Sequence, residues 1–327
     1  MGSIADHDHK EVATELLPYI RIYKDGCVER LMGSPTVPPP NDTETGVSSK
    51  DVIISETPLI SARLYLPKHV NPNQKLPILV YFHGGAFIFE SAFSFLETKF
   101  MNRLVAEARA VAVSVDYRLA PEHLLPSAYD DCWAALRWVA SHSAADTTGI
   151  NPDPWLLNHA NFERVFIGGD SAGANIAHNI AMRAGSEELP GGVELLGAFT
   201  THPYFWGWKP IGEERKEGLE QKLPYLLWKF LYPTAPGGIE CPMINPHGEG
   251  APSLSGLGCS QLLVSTTDMD GLRHRAFAYY NGVKESGWEG EAELVVVEGE
   301  PHGFHTCNYE SESAKQMIKR LASFLLK

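Results

Sequence analysis

Continuous apolar runs recur along the chain at 76–82, 110–115, 164–167, 195–199, 261–265 and 294–297. Runs of this length without polar alternation predict strands buried on both faces, and so a mainly parallel sheet covered by helices. Helical spacing appears between them, in Phe95-Phe100-Leu104, in Ala134-Ala135-Trp138, and over 174–184, 272–283 and 315–326. Strand and helix in alternation predict a doubly wound α/β fold. The N-terminal part has a different texture. Segments 20–23 and 28–31 alternate around Lys24-Asp25-Gly26-Cys27, a hairpin signal, and Pro35, Pro38, Pro39 and Pro40 mark a connector. Short β-type runs follow at 51–56 and 60–66. Segment 204–238 breaks the alternation and is rich in Trp206, Trp208, Tyr225, Trp228, Phe230 and Tyr232, which reads as an insertion above the sheet or as ordinary core of a cap.

The 327 residues suit one large domain, and 44% hydrophobic with 20% charged residues supplies a core. Lys and Arg number 27 against 40 Asp and Glu, a net charge of −13. A phosphate backbone would be repelled, so nucleic acid is excluded as a partner. Five scattered cysteines (Cys27, Cys132, Cys241, Cys259, Cys307) form no C-x-x-C pair, and neither a disulfide framework nor a metal site is expected. Segment 1–20 carries Asp, His and Glu in place of a basic stretch and an apolar run, and no run of about 18 apolar residues occurs. The expectation is a cytoplasmic chain without membrane insertion. Gly2 is not expected to be myristoylated, because Asp6 stands where that motif needs Ser or Thr. The Asn41-Asp42-Thr43 sequon would go unused in the cytosol.

The chemistry concentrates at strand ends. Run 164–167 leads into Gly168-Gly169-Asp170-Ser171-Ala172-Gly173 and then into helical spacing. That is G-x-S-x-G in a strand-turn-helix context, where flanking glycines allow a sharp turn that presents a serine nucleophile at a helix N-terminus. His83-Gly84-Gly85-Ala86-Phe87 follows run 76–82 and is close to the HGGG motif of esterases. Small residues there let backbone N–H groups of Gly84, Gly85 or Ala86, together with Ala172, point at an oxyanion. A triad on such a fold continues in the order acid, then histidine. Asp268 and Asp270 follow run 261–265, and His302 follows run 294–297. Both positions lie on the crevice side of an open α/β sheet. Either aspartate has a competing role as a helix N-cap.

These residues resemble the plant carboxylesterases of the hormone-sensitive-lipase branch of the α/β-hydrolases, nearly end to end. Besides HGGAF and GDSAG, the resemblance takes in Asp116-Tyr117-Arg118-Leu119-Ala120-Pro121-Glu122-His123, Ile20-Arg21-Ile22-Tyr23-Lys24-Asp25-Gly26 and Asp270-Gly271-Leu272-Arg273. It implies a single α/β-hydrolase domain over 1–327, with cap contributions from about 1–40 and 204–238. It also implies a triad of Ser171, Asp270 and His302, an oxyanion hole from Gly85, Ala86 and Ala172, no cofactor, and a small hydrophobic ester or phenolic substrate. Its D-x-L-R pattern selects Asp270 over Asp268. Most relatives carry glycine where Ala86 stands, and alanine adopts a positive φ only at a cost. HGGAF also resembles the 2-hydroxyisoflavanone dehydratases, which often carry threonine at the serine position. The gibberellin receptors resemble the same esterases but lack the histidine that His302 supplies here. The resemblance therefore implies hydrolysis first, elimination of water second and pure binding last.

Overall fold

β1 (Val12–Leu16), β2 (Ile20–Tyr23) and β3 (Val28–Arg30) form a three-stranded antiparallel sheet. The computed structural model describes residues 10–68, 70, 74–143, 152–215 and 217–327. Residues 1–9 of the expected N-terminal cap segment, Gly2 and Asp6 included, lie outside the described residues. The hairpin expected around Asp25-Gly26 is β2–β3: the Asp25 carboxylate accepts the Cys27 N–H, and Gly26 sits at φ 84°. β1 is exposed along most of its length, so no apolar pattern announced it.

The main sheet begins with β4 (Asn41–Asp42), β5 (Val47–Glu56) and β6 (Leu59–Pro67), followed by β7 (Leu76–Phe82) and β8 (Val111–Asp116). It is completed by β9 (Ala160–Asp170), β10 (Leu195–Thr201), β11 (Cys259–Thr267) and β12 (Glu291–Val297). Among the described residues its nine strands run β12-β11-β10-β9-β7-β8-β6-β5-β4. The six from β12 to β8 are parallel, and β6, β5 and β4 join antiparallel at the far edge. These are the six apolar runs of the sequence. β7 shows why alternation is absent: Ile78, Val80 and Phe82 enter one core while Leu79 and Tyr81 enter the other. β12 departs from the expectation of two buried faces. It is an edge strand, and its residues are half-buried or exposed because among the described residues no strand pairs with its outer side.

Helices cover both faces. α1 (Phe95–Ala108) and the C-terminal α8 (Glu312–Leu325) pack on one side, with Phe100, Leu104, Leu321 and Phe324 against Tyr81, Phe166 and Phe199. α2 (Ser127–Ser141), α4 (Ala172–Ala184) and α6 (Arg273–Glu285) supply Leu136, Ile176, Ile180 and Tyr279 to the other core. The short α3 (Pro154–His159) precedes β9, α5 (Leu223–Leu231) lies between β10 and β11, and α7 (Phe304–Cys307) precedes α8. All five cysteines are free thiols. Among the described residues no helix is long and apolar enough to cross a membrane.

Both irregular segments meet at the turn after β7. Tyr19 of the N-terminal sheet packs on Phe89 with ring centroids 5.5 Å apart, and Arg30 donates to the carbonyls of Ile88 and Ala120. From the 204–238 segment, Tyr204 lies edge-on to Phe87, and its hydroxyl donates to Pro224 O at 2.6 Å. Tyr204, Phe205, Trp206 and Trp228 are buried, so they are core residues of the domain, whereas Trp208 is exposed.

Candidate active site

Strand register aligns the ends that carry the chemistry. Phe82 of β7 pairs with Gly169 of β9, Asp170 with Thr201 of β10, Thr201 with Ser265 of β11, and Thr267 with Val297 of β12. The residues just beyond these ends therefore gather at one end of the sheet, and they are the HGGA turn, Ser171, His202, Asp270 and His302.

Ser171 sits between β9 and α4 at φ 52°, ψ −111°, a strained conformation for an L-residue. The flanking glycines make the turn possible. A Cβ on Gly173 would fall 1.9 Å from Phe82 O, and one on Gly169 would fall 2.4 Å from the same oxygen. The elbow thus closes directly on the β7 backbone, with Ser171 N–H donating to Thr201 O. The turn after β7 is as tightly built. A Cβ on Gly85, at φ 97°, would meet Phe89 O at 2.0 Å, and one on Gly84 would meet the Asp170 carboxylate at 2.4 Å. Ala86 does adopt a positive φ, 56°, as does Phe87 at 58°. Each costs roughly 1–2 kcal/mol, offset by hydrogen bonds from Ile88 and Phe89 N–H to Gly85 O and by the burial of Phe87. Among the described residues no backbone or side-chain acceptor takes the N–H of Gly85, Ala86 or Ala172.

His302 Nε2 lies 2.9 Å from Ser171 Oγ, and His302 Nδ1 lies 2.9 Å from Asp270 Oδ2. An ionised carboxylate only accepts, so Nδ1 carries the proton and Nε2 accepts from the serine hydroxyl. Asp270 is 2% exposed, and its Oδ1 accepts the Leu272 N–H at 2.8 Å. Burial alone would raise its carboxyl, yet hydrogen bonds from His202 and His302 outweigh burial and hold it far below the usual carboxylate range. At His302 burial pushes the imidazole down, while the hydrogen bond to Asp270 and its charge push it up further. The net value lies above the ordinary imidazole one. Behind the serine, Asp170 is buried and accepts from Tyr81 OH at 2.7 Å, and burial raises its carboxyl.

Asp268 is placed elsewhere. It is exposed, and its Oδ1 accepts the Gly299 N–H at 2.8 Å, tying the loop after β11 to the loop after β12. Neither aspartate is the N-cap of α6, a position held by Leu272. Sequence reasoning passed over His202, which donates its Nδ1–H to the same Asp270 Oδ2 at 2.9 Å. Its signal was positional, since it follows the apolar run of β10 as His302 follows that of β12. His202, Asp270 and His302 are also a group whose ligand atoms, within 4.8 Å of one another, lie close enough to hold a metal ion. The two protonated Nδ1 atoms already use those positions on the carboxylate, so a metal would have to displace both protons.

An elbow serine, an imidazole on its hydroxyl and a buried carboxylate behind the imidazole, set at the C-terminal ends of a parallel sheet, are the arrangement of an α/β-hydrolase. The family profile described as alpha/beta hydrolase fold matches residues 79–306, and the chain belongs to that family. It is 54% identical over 318 residues to a 2-hydroxyisoflavanone dehydratase of Glycyrrhiza echinata, covering 97% of each chain. It is 40% identical over 317 residues to probable carboxylesterase 2 of Arabidopsis thaliana, again covering 97% of each. A hyperthermophilic esterase from the archaeon Pyrobaculum calidifontis superposes with a TM-score of 0.64 at 28% identity, covering 85% of either chain.

Proposed function

We propose that the protein is a serine carboxylesterase that cleaves small hydrophobic esters through an acyl-enzyme on Ser171. The observation that carries this reading is the 2.9 Å contact between Ser171 Oγ and His302 Nε2 at a strained elbow. In this reading Ser171 Oγ attacks the ester carbonyl carbon as its proton passes to His302 Nε2, and Asp270 stabilises the imidazolium. The N–H groups of Gly85, Ala86 and Ala172 hold the oxyanion. His302 then returns the proton to the departing alcohol, and a water activated by the same imidazole releases the acid. The N-terminal sheet and the 204–238 segment, both packed on the Gly85–Phe89 turn, cover the pocket and favour apolar, planar groups.

Only neutral His302 can accept the serine proton. Since Asp270 favours its protonated form, kcat/KM for an ester is expected to be lost as pH falls through a value above the ordinary imidazole pKa of about 6.5. A pH–rate profile whose acid limb lies at or below that value contradicts the assignment.

The 54% identity to a dehydratase favours a second reading, elimination of water from a 2-hydroxyisoflavanone. There His302 would take the proton α to the ketone, the same N–H groups would hold the enolate, and the hydroxyl would leave as water on receiving that proton back from His302. What separates the two is residue 171. Acyl transfer needs an unhindered hydroxyl, whereas elimination needs at most a hydrogen bond from it, which threonine also gives despite its extra methyl. Ser171→Thr is therefore expected to reduce ester hydrolysis sharply and to leave any dehydration largely intact. The comparison is kcat/KM for a short acyl ester and for a 2-hydroxyisoflavanone in both variants. A wild type that dehydrates far faster than it cleaves any ester would establish the second reading.

A further inference from the structure

The carboxylate behind His302 serves two imidazoles. Asp270 Oδ2 accepts one Nδ1–H from His302 and one from His202, each at 2.9 Å, while Oδ1 is taken by the Leu272 N–H. The hydrolytic steps make no use of His202. It is 1% exposed, so it does not present itself to substrate. It follows β10 with φ at 51°, a left-handed conformation unfavourable for a histidine, and its N–H donates to Ser265 O. Its ring is packed between His302, with centroids 5.0 Å apart, and His305, stacked at 5.6 Å. Burial lowers the imidazole of His202 despite its bond to Asp270, and lowers that of His305 further, which disfavours a second positive charge beside His302.

We propose that His202 is a positioning residue for the reaction: by bonding the same oxygen that holds His302, it fixes the Asp270 carboxylate and shares its negative charge, which keeps His302 a usable base near neutral pH. This rests on His302 being the base. With one donor fewer, the carboxylate becomes a stronger acceptor for the remaining one and stabilises the imidazolium of His302 more. Removing the His202 donor therefore makes His302 harder to deprotonate and the enzyme less active on the acid side. The other groups facing His302 are Asp270 itself, Asp170 at the end of β9 and His305 of α7, with the charge of Asp170 also acting on Glu97 of α1. None of them changes in the variants below, so a difference between variants reports the donor at 202.

The test compares His202→Leu, which fills the space without a donor, with His202→Asn, whose amide places an N–H near the former Nδ1 and whose backbone tolerates the left-handed region. In pH profiles of kcat/KM for a p-nitrophenyl ester, the acid limb of His202→Leu is expected about half a pH unit or more above that of the wild type. His202→Asn should restore it, and KM should stay nearly constant in both, because residue 202 does not touch substrate. An acid limb in His202→Leu that is unmoved or shifted to lower pH, or a rise in KM alone, overturns the proposal. A measurement on the wild type is independent of how the variants fold. With ¹⁵N-labelled histidine, NMR should show two imidazoles, His202 and His302, each with a carboxylate-bonded Nδ1 proton, and finding one alone overturns the proposal. His302→Ala separates the two levels of the reading. If that variant still hydrolyses the ester, the base assignment fails and this inference falls with it; if it is inactive while the His202→Leu limb stays in place, this inference alone fails.

Discussion

Replacing Ser171 with alanine is expected to lower kcat for ester hydrolysis by about 10⁴-fold or more, the scale on which nucleophile removal acts in other triads. The size follows from what the side chain does. Among the described residues its hydroxyl makes a single side-chain hydrogen bond, to His302 Nε2, while the elbow is held by backbone contacts and by glycines pressed on Phe82 O. Alanine at this position removes the atom proposed to attack and leaves the turn, α4 and the N–H groups in place. The thermal unfolding midpoint should therefore barely change while turnover collapses. Steady-state kinetics beside a melting curve checks both halves, and activity within tenfold of the wild type would show that the nucleophile lies elsewhere.

Asp270→Asn is expected to be nearly as severe, about 10⁴-fold in kcat, the loss measured for the same change in a serine protease triad. The reason here is the number of donors already aimed at the carboxylate. Oδ2 receives two Nδ1–H groups and Oδ1 receives the Leu272 N–H. An amide NH₂ on either side must face a donor: in the Oδ1 position it loses the Leu272 N–H, and in the Oδ2 position it drives His302 towards the tautomer with its proton on Nε2, where it no longer accepts from Ser171. Asp268→Asn supplies the contrast. Its carbonyl can still accept the Gly299 N–H, the residue is exposed, and among the described residues no histidine is hydrogen-bonded to it. Kinetics of the pair should give a severe loss at 270 and a change within about threefold at 268, as expected for an exposed position. The reverse ranking would mean that the carboxylate has been misassigned.

The strands of the parallel sheet were legible because burial on both faces removes polar alternation, and this holds for β7 through β11. It weakens at β12, where an edge strand needs only one covered side. β1 was invisible for a related reason: an exposed strand held by one neighbour carries no hydrophobic signature. At the candidate site, spacing and motif singled out Ser171 and the turn at Gly85 and Ala86, since close backbone approach leaves only small residues there. The choice between Asp268 and Asp270 rested on resemblance, and the burial of Asp270 between two imidazoles is what distinguishes it physically. His202 carried no motif. One histidine among 13 says little until strand register sets it beside two others at the same sheet end. The aromatic segment after β10 showed the limit of composition, because Trp206 and Trp228 are buried while Trp208, two residues after Trp206, is exposed.

The acyl-enzyme is the most direct test of hydrolysis by Ser171. Wild-type protein mixed with excess p-nitrophenyl ester and quenched in acid within the first turnover should carry one acyl group by intact mass, located on the peptide containing Ser171. A matching burst of p-nitrophenol should accompany it, and Ser171→Ala should show neither. A wild type that never carries an acyl group, yet turns a 2-hydroxyisoflavanone into its dehydrated product, would contradict the account.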